Sequence, residues 1–185
     1  MYKGKLFVFS GASGVGKSTV LAKVMASRPD LRFSVSATTR APRAGEIEGE
    51  SYYFVTKEKF LEMIEEKAFL EYDVHMDNYY GTPKHQLNEK LKNGNVVLDI
   101  EPNGAFHVRQ EWADAVLIFI APPSLEELES RLRGRGDTSE AQIQVRQARV
   151  AWEMEQSKHY DYVVVNEQVD TCVEEILQII AREAD

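Results

Sequence analysis

The sequence predicts an α/β fold in which a parallel sheet carries helices on both faces and a small mixed α/β lobe is inserted into it. Three observations lead there. Apolar runs of strand length alternate with amphipathic segments of helix length, the pattern of strands buried on both faces and their crossover helices. A glycine-rich turn, Gly11 to Ser18, joins the first apolar run to the first helical segment. From about Ser34 to Gly94 the strand-like runs become short and closely spaced, as in a lobe inserted between core strands.

Each element has a local reason. Leu6-Phe-Val-Phe9 is an apolar run that reads as a buried strand. Val20, Leu21, Val24 and Met25 place one apolar face on a helix that begins near Lys17 and is stopped by Pro29. Phe33-Ser-Val-Ser36 alternates like a strand with one buried face. Ala37 to Glu46 reads as a loop rich in hydroxyls and arginine. Tyr52 to Val55 is a strand, Lys57 to Lys67 a helix with Phe60, Leu61 and Ile64 inward, and Phe69 to Val74 a strand. Asp77 to Pro83 has turn-forming composition and is expected to be a loop. Pro83 fits the first turn of a helix to about Asn93, which Gly94 ends.

The second half follows the same rules. Asn95 to Ile100 is a buried strand with Asp99 near its end, followed by a helix over Gly104 to Trp112 and the strongly apolar strand Ala115 to Ala121. Ser124 and Glu127 form a capping box for a helix that ends in Arg131-Leu-Arg-Gly-Arg-Gly136. Ser139 caps a long polar helix to about Lys158. Tyr162 to Val165 is a strand, and Thr171 to Arg182 is a helix with Val173, Ile176, Leu177 and Ile180 on one face.

Composition narrows the function. The chain has 185 residues, 43% hydrophobic and 28% charged, which suits one soluble domain. A net charge of −8 argues against non-specific nucleic-acid or membrane-surface binding. No apolar run is long enough to span a bilayer, and the first strand leads straight into the glycine turn, so no secretory leader is expected. Cys172 is the single cysteine; it excludes an internal disulfide, fits a reducing cytoplasm, and sits among apolar neighbours in a packing position. His75, His85, His107 and His159 have no metal-ligand spacing.

Gly11, Ala12, Ser13, Gly14, Val15, Gly16, Lys17 and Ser18 fill every position of G-x-x-x-x-G-K-[ST], and Thr19 follows. Glycines let backbone N–H groups turn inward around an anion, and the helix N-terminus adds partial positive charge. Lys17 suits the β- and γ-phosphates of a nucleotide, and the Ser18 hydroxyl suits Mg²⁺. An acidic protein that binds phosphates also needs a local cationic cluster. Arg40 and Arg43, three apart on a loop, can converge on a second phosphate, with Tyr52 and Tyr80 adding phenolic donors.

Taken together these stretches resemble the guanylate kinase family, in its bacterial form, over nearly the whole chain. The likeness is carried by Gly11 to Thr19, by Ser34-Val-Ser-Ala-Thr-Thr-Arg-Ala-Pro-Arg-Ala-Gly-Glu46, by Phe69 to Glu71 and Asn78 to Thr82. Leu98 to Ile100, Ile120 to Ser124, Arg131 to Ser139 and Val165-Asn166 add to it. The Ser34 to Glu46 run is far more specific than the glycine loop alone. The resemblance implies a five-stranded parallel core of the P-loop NTPase type at 1–33, 95–124 and 159–185. It also implies a GMP-binding lobe at 34–94 and a helical lid at 125–158. The implied reaction is transfer of the γ-phosphoryl group of ATP to GMP, with Mg²⁺, giving ADP and GDP; dGMP is implied as a further acceptor.

The resemblance also distributes roles. Arg40, Arg43, Tyr52 and Tyr80 would hold the GMP phosphate. Guanine presents N1–H and N2–H₂ as adjacent donors and O6 as an acceptor, so a carboxylate and hydroxyls are required. Glu71, Ser36 and Thr82 occupy the matching positions. Asp99 would orient the Mg²⁺ water shell or contact GMP. The family pattern after it is usually Asp-Ile-Asp-x-Gln-Gly, whereas this chain has Asp99-Ile-Glu-Pro-Asn-Gly104, which keeps Asp99 and leaves Glu101 without a role. Arg135 and Arg146 would stabilise the transferring phosphoryl, and Arg131 and Asn166 would lie near the adenine. Two other readings use the same residues. A binding module of the kind found in membrane-associated scaffolds typically has a degraded phosphate loop, while Lys17 and Ser18 are intact here. A small kinase for another phosphorylated sugar or nucleotide has no need of Ser36, Glu71 and Thr82.

Overall fold

The structure, a computed structural model, describes residues 3–75, 77–124, 126 and 140–184; for His75 and residues 140–147 it describes the backbone alone. Two compact units make up the chain, Met1–Phe7 with Asp30–Ala115, and Val8–Pro29 with Val116–Asp185.

Among the described residues, five parallel strands form one sheet. They are β1 (Leu6–Gly11), β2 (Arg32–Phe33), β7 (Val96–Asp99), β8 (Val116–Ala121) and β9 (Tyr162–Val165), in the spatial order β2-β7-β1-β8-β9. Every residue of β1 and β8 is buried, as continuous apolar runs require in the middle of a two-faced sheet. Register is set by Arg32 opposite Val96 at one edge and by Ile118 opposite Tyr162 at the other. In the second unit, α1 (Lys17–Ser27) buries Val20, Leu21 and Val24. A long helix, Glu140–Gln156, here α5, precedes β9. The last helix, Val169–Ala184, here α6, buries Cys172, Val173, Ile176, Ile179 and Ile180. Burial pushes the Cys172 thiol up to about 11, which leaves it a packing residue. The first unit holds α4 (Pro102–Glu111), which begins two residues before the expected Gly104. Proline at N1 has the right φ and lacks only an N–H that the helix would leave unpaired.

The inserted lobe is a second sheet, β3 (Ala37–Thr38), β4 (Tyr53–Phe54), β5 (Phe69–His75) and β6 (Asn78–Pro83), in the order β4-β3-β6-β5. Helices α2 (Lys57–Glu65) and α3 (Lys84–Lys92) complete it. Its core is small and aromatic: Phe60 and Phe69 stack with ring centroids 4.3 Å apart, next to Ala37. A Cβ at Gly81 would come within 2.9 Å of Phe69 and 3.0 Å of Phe60, so only glycine lets β6 lie against these rings.

Three expectations fail here. Asp77 to Pro83 is not a loop; Asn78–Pro83 is a strand paired antiparallel with both β5 and β3, and the turn is confined to its start, where Asp77 has φ 64°. Cross-strand pairing of Tyr79 and Tyr80 outweighs the turn composition. Phe33 to Ser36 is not one alternating strand. The chain leaves the five-stranded sheet after Phe33, which is 36% exposed, and enters the lobe sheet at Ala37. Leu61 is 40% exposed, because the buried stripe of α2 follows Phe60, with Met63 and Ile64 partly covered three and four residues on. The capping pair with Glu127, the helix ending at Gly136, and the cap at Ser139 lie outside the described residues, as do Arg131 and Arg135.

Candidate functional site

In the second unit, β1 delivers the chain into the glycine turn and α1 takes it out. Ala12 N–H donates to Ile120 O at 3.2 Å and Val15 N–H to Ala12 O at 3.0 Å, which closes the turn on itself beside β8. Gly14 and Gly16 hold φ of 84° and 93°, the left-handed region that side chains resist. At Gly11 a Cβ would sit 2.8 Å from Ile120 O. Gly16 is the N-cap of α1, and no side chain caps that helix. Lys17 is the first helical residue, and Ser18 behind it is exposed.

Two side chains brace this turn from below. Asn166 follows β9 and donates from Nδ2 to Val15 O at 2.7 Å, while its buried Oδ1 has no protein partner among the described residues. Glu153 on α5, 1% exposed, accepts the Ser13 N–H at 2.8 Å and the Arg149 Nε–H at 2.9 Å. No local pattern marks Glu153: it is one more carboxylate in a polar helix, 140 residues from the amide it binds. Arg146 lies on α5, seven residues before Glu153, with its side chain outside the described residues.

In the first unit, Glu71 is a carboxylate in an apolar setting. Three consecutive residues, Phe69, Leu70 and Glu71, are buried, at 6%, 7% and 6% exposure. A regular strand would turn every second one outward; the register of β5 on β6 shifts between Phe69 and Tyr72, which re-aims this segment. Thr82, fully buried on β6, donates its hydroxyl to Glu71 Oε1 at 2.5 Å. Burial pushes the Glu71 carboxyl up to about 7; the Thr82 hydroxyl and N–H pull it down, and Asp73 pushes it up. While that bond stands, Thr82 has no proton for guanine O6. Ser36, partly exposed, precedes β3, and its carbonyl accepts the Tyr53 N–H at 2.9 Å. Asp99 is half-buried at the end of β7.

The arginine loop is already organised around an acid. Arg40 donates from Nη2 to Glu46 Oε1 at 2.7 Å and from Nη1 to Glu46 Oε2 at 3.0 Å, a two-pronged grip. Glu46 Oε2 also accepts the Arg43 N–H at 2.7 Å. Arg40, first, and the Arg43 amide, second, hold the Glu46 carboxyl below its ordinary value. The Arg40 guanidinium lies 5.4 Å from the centre of the Tyr52 ring, which meets Tyr80 edge-on at 6.1 Å. Burial, then the neighbouring Tyr80, raises the Tyr52 phenol. Arg40, Tyr52 and Tyr80 thus form one cluster, with Arg43 tied to it through its backbone. Glu46 was part of the motif but carried no expected role; its spacing of three from Arg43 was the available signal.

Among the described residues no three His, Cys, Asp or Glu form a group able to hold a metal ion, and no helix is long and apolar enough to cross a membrane.

The comparisons agree on a family. The family model described as Guanylate kinase matches residues 3–183. A guanylate kinase of Clostridioides difficile (strain 630) is 47% identical over 182 residues, covering 98% of this chain and 89% of that protein. A guanylate kinase of Synechococcus sp. (strain JA-3-3Ab) is 47% identical over 175 residues, covering 94% of this chain and 81% of that protein. The crystal structure of guanylate kinase from Anaplasma phagocytophilum superposes with a TM-score of 0.79 at 34% identity, covering 98% of this chain and 86% of that one.

Proposed function

The chain belongs to the guanylate kinase family, and from that premise we propose how its residues carry the transfer of the γ-phosphoryl group of ATP to GMP. The observation that carries the reading of the acceptor is Glu71, a carboxylate buried to 6% exposure and oriented by Thr82. A buried carboxylate is costly unless its charge is used. Guanine supplies two adjacent donors, N1–H and N2–H₂, while adenine would turn a lone pair toward it. Ser36 donates to O6, and Thr82 orients the carboxylate rather than sharing in O6. Asp99 contacts the bound GMP.

Arg40, Arg43, Tyr52 and Tyr80 hold the GMP phosphate, with Glu46 keeping the Arg40 fork ordered until the phosphate arrives. The amides of Gly11 to Thr19 and Lys17 cradle the ATP phosphates. Asn166 braces the loop from below, and its unpaired Oδ1 is an acceptor suited to the adenine amino group. Arg131 adds to the adenine side, and Arg135 and Arg146 neutralise charge on the phosphoryl in flight. A GMP phosphate oxygen attacks the γ-phosphorus in line as the bond to the β–γ bridging oxygen breaks, and ADP leaves with that electron pair. The attacking oxygen is already anionic and the bridging oxygen leaves as part of the ADP phosphate, so no protein nucleophile or base is needed.

In the second unit the exposed Ser18 hydroxyl is a hard oxygen donor that suits Mg²⁺, and substrate phosphates are ligands of the same kind. When bound, Mg²⁺ neutralises charge on the phosphate oxygens. The net charge of −8 and the packed, unreactive Cys172 support a cytoplasmic enzyme of free nucleotides, acting in purine nucleotide metabolism without nucleic-acid or membrane partners. A coupled ADP-release assay against GMP, dGMP, AMP, UMP and CMP tests the reading. Turnover with GMP and dGMP well above the other three is expected; equal turnover with AMP would overturn it.

A further inference from the structure

Gly104 stands in the first turn of α4 with the Glu71 carboxylate pressed against it. A Cβ built on Gly104 would lie 2.6 Å from Glu71 Oε2, 3.2 Å from the Glu71 carboxyl carbon and 3.4 Å from Ile100 Cδ1. The other carboxylate oxygen is held by the Thr82 hydroxyl at 2.5 Å. Glu71 therefore fills the space that any other residue at 104 would need. The backbone does not require glycine there. Inside a helix alanine is ordinarily the better residue, so the glycine sacrifices helix stability for room.

Resting on the reading that Glu71 recognises guanine, we propose that Gly104 is a specificity-positioning residue. Its missing side chain sets the pose of Glu71, and through that pose the preference for a guanine over an adenine nucleotide. The atom in the way of a methyl group is the end of a side chain, not backbone. The easiest response to a methyl is for the carboxylate to swing aside and give up the Thr82 bond while the helix persists. The signature of this role is lost base selectivity in a protein at least as stable as the original.

The test compares Gly104→Ala, Glu71→Ala and the double variant, measuring kcat and KM for GMP, AMP and ATP beside thermal unfolding. Gly104→Ala is expected to raise the GMP KM roughly tenfold or more, leave the ATP KM within about twofold, and narrow the GMP-to-AMP ratio of kcat/KM. Its Tm is expected to hold or rise. On the Glu71→Ala background the same change should add less than about a further twofold, because no carboxylate remains to be displaced. If Glu71→Ala collapses the ratio while Gly104→Ala leaves it at the original value, Glu71 reads the base but Gly104 does not position it. If the two effects multiply independently, the coupling is disproved. A lowered Tm with GMP and ATP kinetics impaired alike would make Gly104 a packing residue and overturn the proposal. A ratio unmoved by Glu71→Ala would remove the guanine reading itself, and this inference with it.

Discussion

On the proposed reading, the groups offered to a ligand between β1 and α1 are mainly backbone amides, whereas around Glu71 and Arg40 they are side chains. The glycine turn is fixed by φ values of 84° and 93°, by the Val15 N–H to Ala12 O bond, and by Ile120, Asn166 and Glu153 holding its other backbone groups, so its shape is complete without a ligand. The lobe's groups cannot stand alone in that way. Glu71 leans on Thr82, and Arg40 on Glu46; each leans on a protein group chemically like part of the expected ligand. On the proposed reading, Glu46 stands where the GMP phosphate would be gripped, and the Thr82 hydroxyl donates to the carboxylate that the purine N–H groups would share. Backbone recognition is rigid and blind to the base, and side-chain recognition discriminates but must be held in readiness by neighbours.

The comparison predicts different failures on the two sides. Lys17→Ala should lower turnover by about a hundredfold to a thousandfold, roughly the worth of one preorganised charge contact in the transition state. GMP affinity measured by calorimetry should be retained, and near-normal turnover in the folded variant would remove the phosphate-loop assignment. Glu71→Gln keeps the shape but turns one acceptor into a donor. It should weaken kcat/KM for GMP by about thirtyfold to several hundredfold, with the ATP KM little changed and AMP less strongly rejected. An unchanged GMP-to-AMP ratio would place base selection elsewhere.

The raised Glu71 carboxyl sharpens the contrast through pH. On the proposed reading guanine needs the ionised form, and in the free protein that form is lost as pH falls through about 7. GMP binding should weaken by up to roughly tenfold per unit below that point, in the original relative to Glu71→Gln, since both share the titration of the GMP phosphate. Stability runs the other way. The folded state keeps the proton up to about 7 and the unfolded chain releases it near 4.5, so this group's contribution is lost as pH rises between those values. A flat ratio of GMP affinities between pH 6 and 8 would contradict the shift.

The smallest expected effect is at Glu153. Glu153→Ala leaves the Ser13 N–H without its partner, costing about 1–3 kcal/mol of stability. The ATP KM should rise a few-fold while the GMP KM stays put, read by denaturant unfolding and initial-rate kinetics. A GMP defect of equal size would show that Glu153 braces more than the phosphate loop.

Local chemistry alone determined the glycine loop, the helix behind it, and the strands β1, β7 and β8. Each depends on neighbours in the chain: glycine torsions, a proline stop, or an apolar run too continuous to face water. The residue types of the acceptor lobe were legible too, as Arg40, Arg43, Tyr52, Glu71, Tyr80 and Thr82 stand in recognisable runs. Tertiary structure decided what those runs could not. Asn78–Pro83 became a strand because β5 and β3 offered it partners on both sides. Glu71 became a buried acid because a register shift in β5 turned it inward and Gly104, 33 positions along the chain, left room. Glu153 found Ser13 across 140 residues. Sequence periodicity reports which face of an element is apolar; it carries no record of which distant polar atom that face will meet, since that depends on the assembled sheet.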